Sequence, residues 1–209
     1  VWMKVLMING SPRKSGCTFT ALSEIAKELH KQGIDSEIMQ IGTDGIHGCI
    51  GCGTCKDRHS CVFTEDIVNE CVAKMKEADG LIVGSPVYYA SANGGVISLL
   101  DRMFYVGGSH FAGKPAAAIA SARRAGTTAT IDEMNKYFTI SQMSVVSSTY
   151  WNMVHGNCVE DVLKDEEGLQ TMRNLARNMA WLLKCIDCGR QNGIEMPKAE
   201  KDYRTNFIR

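Results

Sequence analysis

Two rhythms of apolar and polar residues run along this chain. The opening run Lys4 to Ile8 and the run Leu81 to Val83 lack polar alternation, the mark of a strand buried on both faces. Ser36 to Ile41 reads as a further strand, and Ala116 to Ala120 and Ser144 to Ser148 are fainter ones. Between them a helical period recurs. It is carried by Leu22, Ile25, Ala26 and Leu29, closed by Gly33; by Ile67, Cys71 and Met75, with Thr64 as the cap; by Ile97, Leu100 and Phe104; and by Ile131, Met134 and Phe138. The most regular stripe is the last, Leu169, Met172, Ala176, Met179 and Leu183. Five strands alternating with about five helices predict an α/β fold, a doubly wound parallel sheet whose ligands sit beyond the carboxyl ends of the strands. Loops after strands are therefore where function is sought. Trp151 to His155, after the fifth expected strand, fall on that side by topology. No repeat or linker divides the chain, which reads as a single domain over residues 1–209 with a cysteine-rich insertion at 45–64 and an extended tail at 192–209.

Charge narrows the function. Lys and Arg number 23 and so do Asp and Glu, so no sequence-wide basic field exists to hold nucleic acid or an acidic membrane surface. The longest uncharged run, Gly80 to Leu100, is interrupted by Pro86, Asn93, Gly94 and Gly95 and does not read as a membrane span. Val5 to Ile8 is too short for a signal-peptide core, which points to a cytoplasmic protein. In that setting the nine cysteines favour metal or redox chemistry over disulfides.

Three constellations carry candidate chemistry. The loop Gly10-Ser11-Pro12-Arg13-Lys14-Ser15-Gly16-Cys17-Thr18 lies between a buried strand and a helix N-terminus, where free N–H groups face an anion. It matches neither the dinucleotide fingerprint nor the P-loop. Its hydroxyls and cations suit a single terminal phosphate, as on FMN, held by Ser11, Arg13, Ser15, Gly16 and Thr18 with Phe19 just inside the helix; the plainer alternative is a polar turn. Ser85-Pro86-Val87-Tyr88-Tyr89, followed by a Gly94-Gly95 turn, offers backbone polar groups and aromatic faces to a ring system, or else tyrosines that close the core rim. Cys49, Cys52, Cys55 and Cys61 fall within thirteen residues, among Gly48, Gly51 and Gly53. Consecutive two-residue spacings fit one [4Fe-4S] cluster better than the paired spacing of zinc sites, with zinc or free and oxidised thiols as the alternatives. Cys185 and Cys188 end the last helix as core residues or as a redox pair. Arg123 and Arg124 are solvated, or one of them meets negative charge on a reduced flavin or the phosphate of NADPH.

Together, Gly10-Ser11-Pro12-Arg13 with Gly16 and Thr18, Ser85-Pro86-Val87-Tyr88-Tyr89, Asp101-Arg102, and Arg123-Arg124-Ala125-Gly126 resemble the flavodoxin-like NAD(P)H-dependent FMN reductase family over roughly the whole chain. The four-cysteine run is similar to that of its iron-sulfur flavoprotein branch. Cys17 departs from the pattern, since relatives often carry Asn there. The resemblance implies a flavodoxin-like fold with FMN held by the loops named above, Gly126 included. It further implies NAD(P)H or reduced ferredoxin as electron donor, a small-molecule redox substrate or ferredoxin as partner, and a homodimer or homotetramer. Hydride chemistry at a flavin needs positioning more than a protein base, so no catalytic side chain is expected. The rival functions are a non-enzymatic electron carrier and a cysteine-based redox or metal sensor. Carriers of flavodoxin type are usually acidic, and this chain is neutral. Tyr203, Phe207 and Ile208 make the tail apolar, so the tail, with the insertion, is expected to reach a neighbouring subunit, or else the tail folds back on its own domain.

Overall fold

A computed structural model describes residues 3–208; Val1, Trp2 and Arg209 lie outside the described residues. The chain opens with β1 (Lys4–Asn9), α1 (Cys17–Lys31) and β2 (Asp35–Gln40). A long loop holding the single turn α2 (Cys55–Arg58) leads to α3 (Val68–Glu77), β3 (Gly80–Tyr88), the two-residue β4 (Ser91–Ala92) and α4 (Gly94–Phe111). Then come β5 (Pro115–Ala122), α5 (Thr127–Ile140), β6 (Ser144–Val145), β7 (Met153–His155), α6 (Val159–Val162) and α7 (Glu166–Gln191).

The main sheet is parallel, in the order β2-β1-β3-β5-β6, with β7 also pairing β5 and β4 antiparallel to β3. Register runs from Lys4 opposite Asp35, through Val5 opposite Gly80, to Leu81 opposite Ala116. Side chains alternate across each strand, and that alternation divides the core in two. Leu6, Ile8, Leu81, Val83, Ala116 and Ala118 pack with α3, α4 and α5. Val5, Met7, Ile82, Ala117 and Ile119 pack with α1 and α7 on the opposite face. Each fully buried aliphatic side chain contributes roughly 1.5–3 kcal/mol, and both faces are covered, which explains the unbroken apolar runs of the central strands.

Three local expectations are corrected. The fifth strand is not continuous over Ser144 to Ser148: it is made of two short pieces, β6 and β7, and Met153–His155 belongs to it instead of following it. Between the pieces Asn152 takes over the ladder, donating from Nδ2 to the Ala118 carbonyl at 3.1 Å and accepting the Ala120 N–H at 2.9 Å. Ser147 and Ser148 turn to α7 instead, bonding Asn178 and the Thr171 carbonyl. Thr64 does not cap α3. Its hydroxyl meets Glu65, and Asp66 accepts the Val68 N–H at 3.2 Å, because Asp66 is drawn to a buried arginine described below. Gly94 and Gly95 form no turn but open α4, with Asn93 Oδ1 accepting the Gly95 N–H at 2.7 Å.

Candidate functional site

The loop after β1 is folded by its own polar side chains. Asn9 Oδ1 accepts the Ser11 N–H at 3.2 Å, Ser11 Oγ accepts the Arg13 N–H at 3.1 Å, and Gln40 at the end of β2 donates to the Ser11 carbonyl. Gly10 sits against β3, its N–H bonded to the Gly84 carbonyl at 2.7 Å; a Cβ there would fall 2.1 Å from Val96 Cγ2. Among the described residues no side chain caps the N-terminus of α1, so its first N–H groups face the loop mouth. Arg13, Lys14 and Ser15 are exposed, Gly16 and Phe19 half-buried. Thr18 is buried, its hydroxyl 2.8 Å from that of Ser121 on β5. Cys17 points its thiol at the Gly156 carbonyl 3.8 Å away, and burial pushes that thiol above its ordinary pKa.

The second loop is a hairpin between β3 and β4, turned by Tyr89 and Ala90, both with positive φ (51° and 60°). Such angles cost an L-residue roughly 1–2 kcal/mol each, and strain of this kind collects at ligand sites. Pro86 and Val87 are half-buried, whereas Tyr88 is 47% and Tyr89 fully exposed, so neither tyrosine closes the core. Glu133 on α5 fixes the hairpin from below, accepting from Ser91 Oγ at 2.7 Å and from the Ala92 N–H at 2.9 Å. Ser85 Oγ accepts the Asn93 N–H at 2.9 Å.

The third loop presents Arg123 and Arg124 to solvent and meets the hairpin at Gly126. With φ of 94°, a Cβ on Gly126 would lie 2.7 Å from Ala90 Cα and 2.8 Å from Val87 Cγ1, so glycine is what lets the two loops touch. His155, at the end of β7, reaches the Arg124 carbonyl with Nε2 at 3.1 Å. The three loops and the end of β7 thus converge at the carboxyl edge of the sheet, with Arg13, Lys14, Arg123 and Arg124 exposed on them. Sequence reasoning missed Asn9, Gln40, Ser121 and Glu133; polar residues at the ends of apolar strands were the available signal for the first three, and Glu133, inside α5, gave none.

The cysteine loop lies apart, over α4. Cys49, Cys52, Cys55 and Cys61 line one cavity of about 260 Å³, with Phe63 and Arg102 in its wall. Gly51 and Gly53 take positive φ (65° and 75°) to turn the backbone between thiols. A hydrogen bond from Thr54 lowers the pKa of the Cys52 thiol. All nine cysteines are free thiols, and among the described residues no three His, Cys, Asp or Glu side chains converge on a point suited to one metal ion. Cys185 and Cys188 are both exposed, which corrects the reading of Cys185 as core.

The model of the family described as NADPH-dependent FMN reductase matches residues 3–157. The chain belongs to that family, in its iron-sulfur flavoprotein branch. An iron-sulfur flavoprotein of Methanocaldococcus jannaschii is 34% identical over 88% of this chain and 99% of its own length. One from Methanosarcina thermophila is 31% identical over 90% of this chain and 99% of its length. Among solved structures a flavodoxin from the domain Archaea superposes with a TM-score of 0.60 at 17% identity, covering 87% of this chain and 99% of its own; it supports the flavodoxin-like fold alone. Membership places the chain among FMN-dependent oxidoreductases. Among the described residues no helix is long and apolar enough to cross a membrane.

Proposed function

We propose that this FMN reductase family member takes electrons from NAD(P)H or reduced ferredoxin onto FMN and passes them, through a [4Fe-4S] cluster on Cys49, Cys52, Cys55 and Cys61, to a small-molecule acceptor or ferredoxin. The observation that carries this reading is one chain bearing both a set of converging, cation-bearing loops at the carboxyl edge of its sheet and a separate cavity walled by four free thiols. The residues fit both groups. Ser11, Arg13, Ser15 and Gly16, with the open end of α1, suit a monoester phosphate, and Thr18 braces that helix against β5 through Ser121. Pro86, Val87, Tyr88 and Tyr89 border the ring region, where exposed tyrosines would shield a bound ring from water. Arg123 and Arg124 offset negative charge there, and Gly126 keeps the ring loops in contact. Four thiols lining one cavity at consecutive two-residue spacings supply the donor set of a cluster, where zinc sites pair their cysteines.

When bound, FMN would take two electrons as a hydride from NAD(P)H, or one at a time from ferredoxin, and could release them singly. The protein's part is to hold and orient the ring and to stabilise negative charge beside it. The active unit is proposed as a cytoplasmic homodimer or homotetramer: Tyr203, Phe207 and Ile208 are 91%, 95% and 86% exposed in the single chain, and Tyr105 and Ile140 add apolar surface near the tail. Two parts of the tail touch the chain's own domain, Met196 against Gly113 and Lys201 beside the α4–α5 groove.

Anaerobic purification tests the proposal. Flavin bands with broad iron-sulfur absorbance, FMN as the released cofactor, and steady oxidation of NADH, NADPH or reduced ferredoxin are expected. Release of FAD, or a protein that takes up no flavin, would overturn it.

A further inference from the structure

A cation is buried beneath the cysteine loop. Arg102 on α4 is 1% exposed, and all five of its N–H groups are used. Nη1 and Nη2 grip the Asp66 carboxylate in a fork; Nη1 also donates to the His47 carbonyl at 3.1 Å and Nη2 to that of Phe63 at 3.2 Å. The guanidinium lies 5.1 Å from the centre of the Phe63 ring, which stacks on His47. The fifth donor, Nε, is aimed at Cys61 Sγ, 3.1 Å away. Asn69 on α3 holds the same cysteine by its backbone, accepting its N–H at 2.8 Å and donating to its carbonyl at 3.1 Å. Cys49 and Cys52, by contrast, are exposed.

A buried arginine–carboxylate pair is not in itself a stabilising device, because desolvation offsets the attraction. What distinguishes Arg102 from an apolar anchor is that its rigid fork, fixed at four other acceptors, dictates where Nε points. Hydrogen bonds to ligating sulfurs are among the factors that set cluster potentials, since they favour the more negative state. Reduction of a cluster adds one electron, breaks no bond and spreads negative charge onto the sulfurs.

We propose that Arg102 is a positioning residue of the cysteine site: it preorganises Cys61 as a ligand and, through Nε–H donation to its sulfur, raises the potential at which a cluster held there is reduced. This rests on the cluster reading above.

The test compares wild-type protein with Arg102→Lys, which keeps the charge beside Asp66 but lacks the fork. A second variant, Arg102→Met with Asp66→Asn, removes both buried charges together while keeping an acceptor for the Val68 N–H, so that the fold survives if the lysine variant does not. All are reconstituted anaerobically with iron and sulfide. Iron is counted, the midpoint potential is measured by dye-mediated titration, and hydrogen exchange of residues 45–66 is followed in the metal-free proteins. The expected result is iron uptake in the variants, a midpoint shifted to lower potential, and faster exchange of residues 45–66 than in wild type. A variant that binds iron at an unchanged midpoint overturns the role of Arg102 and leaves the cluster reading standing. Wild-type protein that takes up no iron overturns the cluster reading, and the role of Arg102 falls with it.

Discussion

The loops at the carboxyl edge of the sheet and the cysteine loop are built in opposite ways. The edge loops, proposed to hold FMN, are short extensions of central strands, braced by side chains that reach between elements: Thr18 to Ser121, Glu133 to the hairpin, Gln40 to the Ser11 carbonyl. Much of their shape is inherited from the sheet. The cysteine loop contributes little core of its own, with Cys55 and Cys61 only partly buried; it is pinned by Arg102, Asp66 and Asn69 at its C-terminal end and by the Arg102 bond to the His47 carbonyl near its start, while Gly45, Gly48, Gly51 and Gly53 stand in open space. A cradle built on strands takes its shape from the sheet, whereas a loop pinned only at its ends depends more on what it binds.

Substitutions can break this contrast. Arg102→Ala should be the most damaging, costing about 3–5 kcal/mol because Asp66 is left as an unpaired buried charge; urea unfolding of the metal-free protein measures it. An effect confined to residues 45–66, with no loss of global stability, would show that the loop is independent of the core. Gly126→Ala comes next, at about 2–3 kcal/mol from a strained positive φ and the clash with Ala90. FMN affinity, read by fluorescence quenching, should fall at least tenfold while iron content holds. Equal loss of iron would mean that the two regions are coupled.

A control outside both regions is Glu28, which joins α1 to α7 through Arg177 at 2.7 Å and Lys31 at 3.2 Å. The hydrogen bond from Arg177, against the opposing effect of burial, holds the Glu28 carboxyl below its ordinary value of 4.5. A lowered folded-state pKa means that this stabilisation is complete well above pH 4.5 and is lost as pH falls through the folded-state value. Glu28→Gln should cost about 1 kcal/mol at neutral pH and show a shallower acid loss of stability than wild type, by urea midpoints at successive pH values. Parallel curves would rule out the carboxylate as the source. The smallest effect has the opposite sign. Ala90→Gly relieves the positive φ but adds freedom to the unfolded chain, for a net gain of about 0.5 kcal/mol in thermal stability. An unchanged or lowered melting temperature would argue that the turn is not strained.

Much of the architecture was legible in the sequence because strands and helices announce themselves locally. The unbroken runs at Lys4 and Leu81 became β1 and β3, and the stripe from Leu169 to Leu183 lies along α7. The split fifth strand was not legible, since Asn152 substitutes a side-chain bond for a ladder bond, which no periodicity encodes. Thr64 failed as a cap for a related reason: Asp66, two residues on, accepts the helix N–H at one oxygen and grips Arg102 with both.

The sequence by itself determined which chemistry each segment offers: hydroxyls and cations before α1, aromatics after β3, closely spaced thiols after β2. Tertiary structure decided which of these groups meet. Gly126 needs to be glycine because Ala90 arrives against it, Thr18 turns inward because Ser121 is there, and Cys61 gains a donor because α4 carries Arg102 beneath it. These partners lie 36, 103 and 41 residues apart, so only the order of strands in the sheet brings them within a few ångströms. Local propensity reads a residue's own conformation, whereas hydrogen bonds and close contacts depend on neighbours that the fold alone supplies.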